Sequence, residues 1–139
     1  MSTIFTQIVE GEIPARIVYE DETTVAFLDA NPLAPGHTLV IPKDEYERLN
    51  DVPDDVSSDL YETIHRLVPA VEESVDADAT TVAFNNGEEA GQEVPHVHCH
   101  IVPRFEGDGG GPIHAVAGEP PELSDDELDD IAADIDSQV

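Results

Sequence analysis

Positive charge is nearly missing from this 139-residue chain. Lys43 is its only lysine, and Lys and Arg together number 5 against 32 Asp and Glu, a formal net charge of −27. Nucleic acid and anionic membranes both require a positive surface, so neither is an expected partner. Cysteine is almost as scarce. Cys99 stands alone, which excludes an intrachain disulfide. Long apolar runs are also lacking. No stretch of about 18 apolar residues occurs, so no membrane-spanning helix is expected. Met1 to Thr6 contains neither a basic segment nor an apolar signal core, and the expected location is cytoplasmic.

What is present fits a folded protein. An apolar fraction of 40 % over 139 residues suits one domain with a real core. The acids are spread among apolar positions rather than gathered in one tail. That distribution points to adaptation to a very salty cytoplasm, as in a halophilic archaeon. At about 1 M salt the Debye length is roughly 3 Å, and mutual repulsion is screened.

The apolar periodicity gives an element order. Residues 3–10 form a short helix closed by Gly11, with Ile4, Ile8 and Phe5 as its buried stripe. Residues 16–20 and 24–29 form a hairpin about Asp21-Glu22-Thr23. Residues 37–41 make a third strand, stopped by Pro42. Residues 54–75 carry a helical stripe of Val56, Leu60, Ile64, Leu67, Val68, Val71 and Val75, and Pro69 predicts a kink. Residues 80–85 form a strand, and a Gly-containing loop leads from Asn86 to a final strand beginning at His96. Ser124 and Glu127 make a capping box for a last helix, with Leu128, Ile131, Ala132 and Ile135 on one side. Hairpins with one segregated long helix imply an antiparallel α+β sheet.

The run His96-Val97-His98-Cys99-His100-Ile101-Val102 carries the chemistry. On a strand, alternate side chains share a face. The three imidazoles should therefore point one way, and Val97, Cys99 and Ile101 the other. Three uses compete. The imidazoles could be structural, although strict alternation argues against that. A pair could hold zinc with a further ligand from His37, His65, His114 or a carboxylate. All three cannot share one ion, because His96 and His100 would lie about 13 Å apart on a strand. The third use is attack on phosphorus, which needs an oriented neutral ring and donors around the phosphate. Gly87, Gly91 and the amide of Gln92, just before the histidines, offer such donors.

These residues resemble the histidine triad (HIT) family, and its Hint-like branch in particular. The signature is His96 through Val102. Further matching segments are Ile13–Asp21, Ala26–Asp29, Pro35–Lys43 and Asn85–Gln92, in the same order. The tail after Phe105 matches poorly. The division implied is a HIT domain over residues 1–104, then a Gly-rich loop and acidic helix over 105–139 packed on or beside it.

The resemblance implies a five-stranded antiparallel sheet with a long helix and a short N-terminal helix, continued across a homodimer, plus an extra C-terminal helix. It implies cleavage of a nucleoside 5′-phosphoryl bond, in a phosphoramidate or related purine nucleotide, through a nucleotidyl-histidine intermediate. His98 would be the nucleophile, with His96 and His100 orienting it and assisting the leaving group, and His37 a fourth histidine near the phosphate. Asn85, Gly91, Gln92 and Glu93 would contact phosphate. Glu93 stands where eukaryotic Hint proteins have serine, so only its backbone N–H could donate. Asp29 would bind the ribose hydroxyls, and Phe5, Ile8, Ile17 and Ala30 would lie near the base. Some bacterial relatives bind structural zinc through Cys-x-x-Cys and a later histidine. The matching positions here are Thr3, Thr6 and Glu45, so no metal and no cofactor is expected. Two alternatives stay open: a dinucleoside polyphosphate hydrolase of the Fhit type, and a nucleotide-binding regulatory module with incidental turnover.

Overall fold

The computed structural model describes residues 2–139. Helix α1 (Ile4–Val9) precedes strands β1 (Ile17–Glu20), β2 (Thr24–Leu28) and β3 (Thr38–Pro42). Helix α2 (Asp54–Val75) follows, then β4 (Ala79–Phe84), β5 (Cys99–Arg104) and helix α3 (Asp125–Asp136). All strand pairs are antiparallel, in the order β1-β2-β3-β5-β4. This is the α+β arrangement that the element order implies.

Alternation sorts each inner strand between two cores. Ala26, Val40, Cys99 and Ile101 face α2 and pack on Leu60, Ile64, Leu67 and Val71. Val25, Phe27, Leu39 and Ile41 face the other way, against Phe5 and Ile8 of α1. The buried hydroxyls of Thr24 and Thr63, 3.0 Å apart, tie β2 to α2 across the first core. The sheet is therefore covered on both faces, by a long helix on one and a single short helix on the other.

Four expectations change. Within α1 the buried residues are Phe5 and Ile8, while Ile4 is 49 % exposed; one and a half turns cannot bury three neighbouring positions. Pro42 is the last residue of β3, in register with Thr24, rather than a stop before it. α2 runs unbroken through Pro69. That proline sits on the exposed side, where water can serve the carbonyl that loses its partner. The largest change concerns the histidines. β5 starts only at Cys99, so His100 alone of the three lies on a strand. His96 and His98 belong to the segment that leads into it.

The capping box of α3 forms as expected: the Ser124 hydroxyl accepts from the Glu127 N–H, and the Glu127 carboxylate accepts from the Ser124 N–H. Its apolar stripe is open, however, with Leu128 49 %, Ile131 46 % and Ile135 62 % exposed. Among the described residues, no helix is long and apolar enough to cross a membrane.

Candidate active site

The α1 face of the sheet carries four imidazoles in a row. His100 projects from β5, His37 enters just before β3, and His96 and His98 approach from the end of the 85–95 loop. His37 and His96 are almost wholly buried, at 2 % and 0 % exposure, and His98 is 8 % exposed. Ring centroids lie 5.2 Å apart for His37–His100 and 5.0 Å for His98–His100. Phe5 stands edge-on to His98 at 5.0 Å and to His96 at 5.9 Å.

Their hydrogen-bond partners assign each ring proton, because a carbonyl only accepts and a backbone N–H only donates. His98 Nδ1 lies 2.8 Å from the His96 carbonyl, so the proton is on Nδ1 and Nε2 keeps its lone pair. His96 Nε2 lies 2.8 Å from the Pro42 carbonyl, so that nitrogen is the donor. The Leu33 N–H donates to His37 Nδ1 at 3.1 Å. His37 therefore carries its proton on Nε2 and passes it toward His100 Nδ1, 3.0 Å away. His100 in turn holds its proton on Nε2, which makes no hydrogen bond among the described residues. The row thus ends in one free lone pair, on His98, and one free donor, on His100.

Three of the rings are biased toward the neutral form. Burial lowers the proton affinity of His37, opposed by Asp29. Burial lowers that of His96 as well. For His100, burial and then the neighbouring His98 and His37 push the pKa from an ordinary 6.5 down to about 4. Asp29 Oδ2 is 3.7 Å from His37 Nε2. With His37 neutral this is a polar contact rather than an ion pair.

Asp29, His37 and His100 are also the one group among the described residues that could grip a metal ion, with ligand atoms within 4.8 Å of one another. The fit is poor. The Leu33 N–H occupies His37 Nδ1, so the nitrogen facing the site already bears the ring proton. An ion there would have to expel it.

The loop before the histidines is cross-braced rather than open. Gly87 adopts φ +103°, and a Cβ there would come within 2.7 Å of the Arg48 guanidinium. Arg48 Nη2 donates to the Asn86 carbonyl at 3.3 Å, and the Leu49 N–H donates to Asn86 Oδ1 at 2.8 Å. Gln92 is fully spent on this bracing. Its Oε1 accepts from the Gly87 N–H at 2.8 Å, and its Nε2 donates to the Glu47 and Val94 carbonyls at 2.6 and 2.9 Å. Its backbone N–H goes to the Gly87 carbonyl. The amide expected on phosphate instead shapes the loop.

The remaining expected residues divide. Asn85 is exposed, and its side-chain amide lies beside Gly91, which has φ +98°. Glu93 is exposed and forms no side-chain hydrogen bond among the described residues. Asp29 is 21 % exposed on its side chain, and Oδ1 accepts from the Asn31 N–H. Ile17 is 47 % exposed, and Ala30 is exposed. Phe5 and Ile8 are core residues, although Phe5 also touches the two histidine rings. The Leu33 N–H and the Pro42 carbonyl escape a reading of side chains because both act through the backbone. Thr3, Thr6 and Glu45 do converge, and they do so at His96: Thr3 Oγ1 and Thr6 Oγ1 lie 3.4 and 3.5 Å from His96 Nδ1.

Known proteins share this fold. The HIT domain model matches residues 10–107. A HIT-like protein of Methanocaldococcus jannaschii is 50 % identical over 106 residues, covering 76 % of this chain and 81 % of its own. Adenosine 5′-monophosphoramidase HNT1 of Saccharomyces cerevisiae is 41 % identical over 101 residues, covering 73 % and 61 %. The crystal structure of a HIT family member from Bacillus subtilis superposes with a TM-score of 0.89 at 34 % identity, covering 100 % of this chain and 98 % of that one. With four histidines on one face of an antiparallel sheet and this breadth of likeness, the chain belongs to the HIT family of nucleotide hydrolases.

Proposed function

We propose that this protein cleaves nucleoside 5′-phosphoramidates or closely related nucleoside phosphoryl bonds, with His98 as nucleophile. The observation that carries the reading is the 2.8 Å bond from His98 Nδ1–H to the His96 carbonyl. It orients the ring and, in the neutral tautomer, puts the free lone pair on Nε2, the nitrogen that would attack. The yeast phosphoramidase supports the leaving-group class.

In this reading His98 Nε2 bonds to phosphorus as the bond to the leaving nitrogen breaks. The positive charge gained by the His98 ring is met by the His96 carbonyl. The free Nε2–H of His100 donates toward the phosphoryl oxygens or the departing group, and His37 holds that ring in the donating tautomer. Water then displaces His98 and releases the nucleoside monophosphate. Asn85 and the backbone at Gly91 and Glu93 contact phosphate, Asp29 binds the ribose hydroxyls, and the exposed Ile17 and Ala30 border the base. Gln92 acts on the phosphate only by shaping the loop. Two chains pair along β4, a sheet edge whose Val82 is 44 % exposed.

The test is His98→Asn, measured on adenosine phosphoramidate in high KCl. Turnover should fall by roughly 10³-fold or more while nucleotide binding, read by calorimetry, persists. Undiminished turnover overturns the covalent route.

A further inference from the structure

Thr3, Thr6 and Glu45 lie outside the row of four histidines, yet they form a closed hydrogen-bonded unit against one of them. Glu45 Oε1 accepts twice, from the Thr6 hydroxyl at 2.7 Å and from the Thr3 N–H at 3.0 Å. Thr3 Oγ1 accepts from the Thr6 N–H at 3.2 Å, which caps α1. The carboxylate, which is exposed, thereby fastens the first turn of α1 to the segment after β3. Both hydrogen bonds hold Glu45 below the usual carboxylate range, that of Thr6 first, so it is ionised at neutral pH.

The donor count decides what the unit presents to His96. The only hydroxyl proton of Thr6 goes to Glu45, so toward His96 Thr6 offers lone pairs. Thr3 keeps its own hydroxyl proton, and two acceptors lie 3.4 Å from its oxygen, Thr6 Oγ1 and His96 Nδ1. With Nε2–H committed to the Pro42 carbonyl, neutral His96 needs a donor at Nδ1, and Thr3 supplies it. Should His96 become protonated during turnover, Thr6 Oγ1 at 3.5 Å, backed by the Glu45 charge, accepts a hydrogen bond from its Nδ1–H. The buried ring is gripped at both nitrogens in either state.

Two routes lead from this grip to His98. One is the His96 carbonyl, which holds His98 Nδ1–H. The other is Phe5, which stands between Thr3 and Thr6 in the chain and packs edge-on against the His98 ring at 5.0 Å. We propose that Thr6 and Glu45 are positioning residues of the catalytic centre: their hydroxyl–carboxylate pair seats α1 against His96 and so keeps His98 Nε2 aimed at the substrate. This rests on His98 being the nucleophile.

Three variants test it. Thr6→Val keeps the shape and removes the hydroxyl, Thr6→Ser returns the hydroxyl, and Glu45→Ala removes the clamp at an exposed position. Kinetics on adenosine phosphoramidate should show kcat reduced about 10-fold in Thr6→Val and in Glu45→Ala, with KM within about 2-fold, because a small misplacement of a nucleophile costs rate rather than ground-state binding. Thr6→Ser should recover to within about 2-fold of the parent. If the loss lies in KM, if folded Thr6→Val and Glu45→Ala retain full kcat, or if serine fails to rescue, the positioning role is overturned.

A second readout does not need turnover. Ring ¹⁵N spectra report which nitrogen of His96 and His98 carries the proton. The parent should show Nε2–H on His96 and Nδ1–H on His98, and Glu45→Ala should perturb both rings. If the parent has no phosphoramidase activity, the functional reading fails alone. Rings unchanged in Glu45→Ala then overturn the inference, and perturbed rings sustain it.

Discussion

At the scale of single residues, the chain controls its histidines through backbone atoms. Three of the four rings, His37, His96 and His100, are biased against protonation by burial. This has a consequence for stability. His100 titrates at about 4 when folded against an ordinary 6.5. Between those values the unfolded chain binds more protons than the folded one. Stability therefore rises with pH across that window and is eroded as pH falls through it. For His100 the loss is on the order of 2 kcal/mol, once the partial solvent contact of the ring is allowed for. Denaturant melts in high KCl at pH 7 and pH 4.5 should show the drop, and His100→Asn should flatten it. Equal stability of the parent at both pH values would contradict the burial argument.

At the scale of elements, periodicity was a good guide wherever packing is two-sided. α2 spans Asp54–Val75 as its stripe indicates, because Leu60, Ile64, Leu67, Val68 and Val71 of that stripe pack against a sheet face. The strand order was beyond periodicity, since β5 inserts between β3 and β4 through contacts distant in sequence. Alternation of His96, His98 and His100 singled out three rings on one face of the sheet but put two of them on a strand that starts only at Cys99. A polar residue every second position looks the same on a strand and on an extended approach to one, and only ladder hydrogen bonds separate the two. Gln92 shows a related limit: composition cannot say whether an amide faces a ligand or its own loop.

The elements also differ in what they contribute. Leu60 of α2 is fully buried at 0 % exposure, and Ile131 of α3 is 46 % exposed. Leu60→Ala should destabilise the protein by about 2–5 kcal/mol. Ile131→Ser should stay within about 0.5 kcal/mol in thermal unfolding of the same preparation. A large loss from Ile131→Ser would show that α3 is anchored.

At the scale of the whole molecule, a net charge of −27 confronts a ligand of the same sign. In the proposed binding mode the donors are neutral: the His100 Nε2–H, the Asn85 amide and backbone N–H groups. Such donors act at contact distance and survive screening, whereas the repulsive field of the acids does not. Stability, nucleotide affinity and the fraction of paired chains should all increase from about 0.1 M to about 2 M KCl, measured by melting, calorimetry and sedimentation in one series. A fold fully stable in dilute buffer, with affinity falling as KCl rises, would show that the acids serve some other end.

Cys99 gives that series an internal clock. The single thiol is buried at 0 % exposure between His98 and His100 in the chain, and burial pushes its pKa up to about 12. A closed molecule therefore offers an alkylating reagent neither access nor thiolate. Each labelled molecule records one opening of β5, the strand that carries His100. The labelling rate counts how often the sheet beside His98 comes apart, without a probe having to be added to the protein.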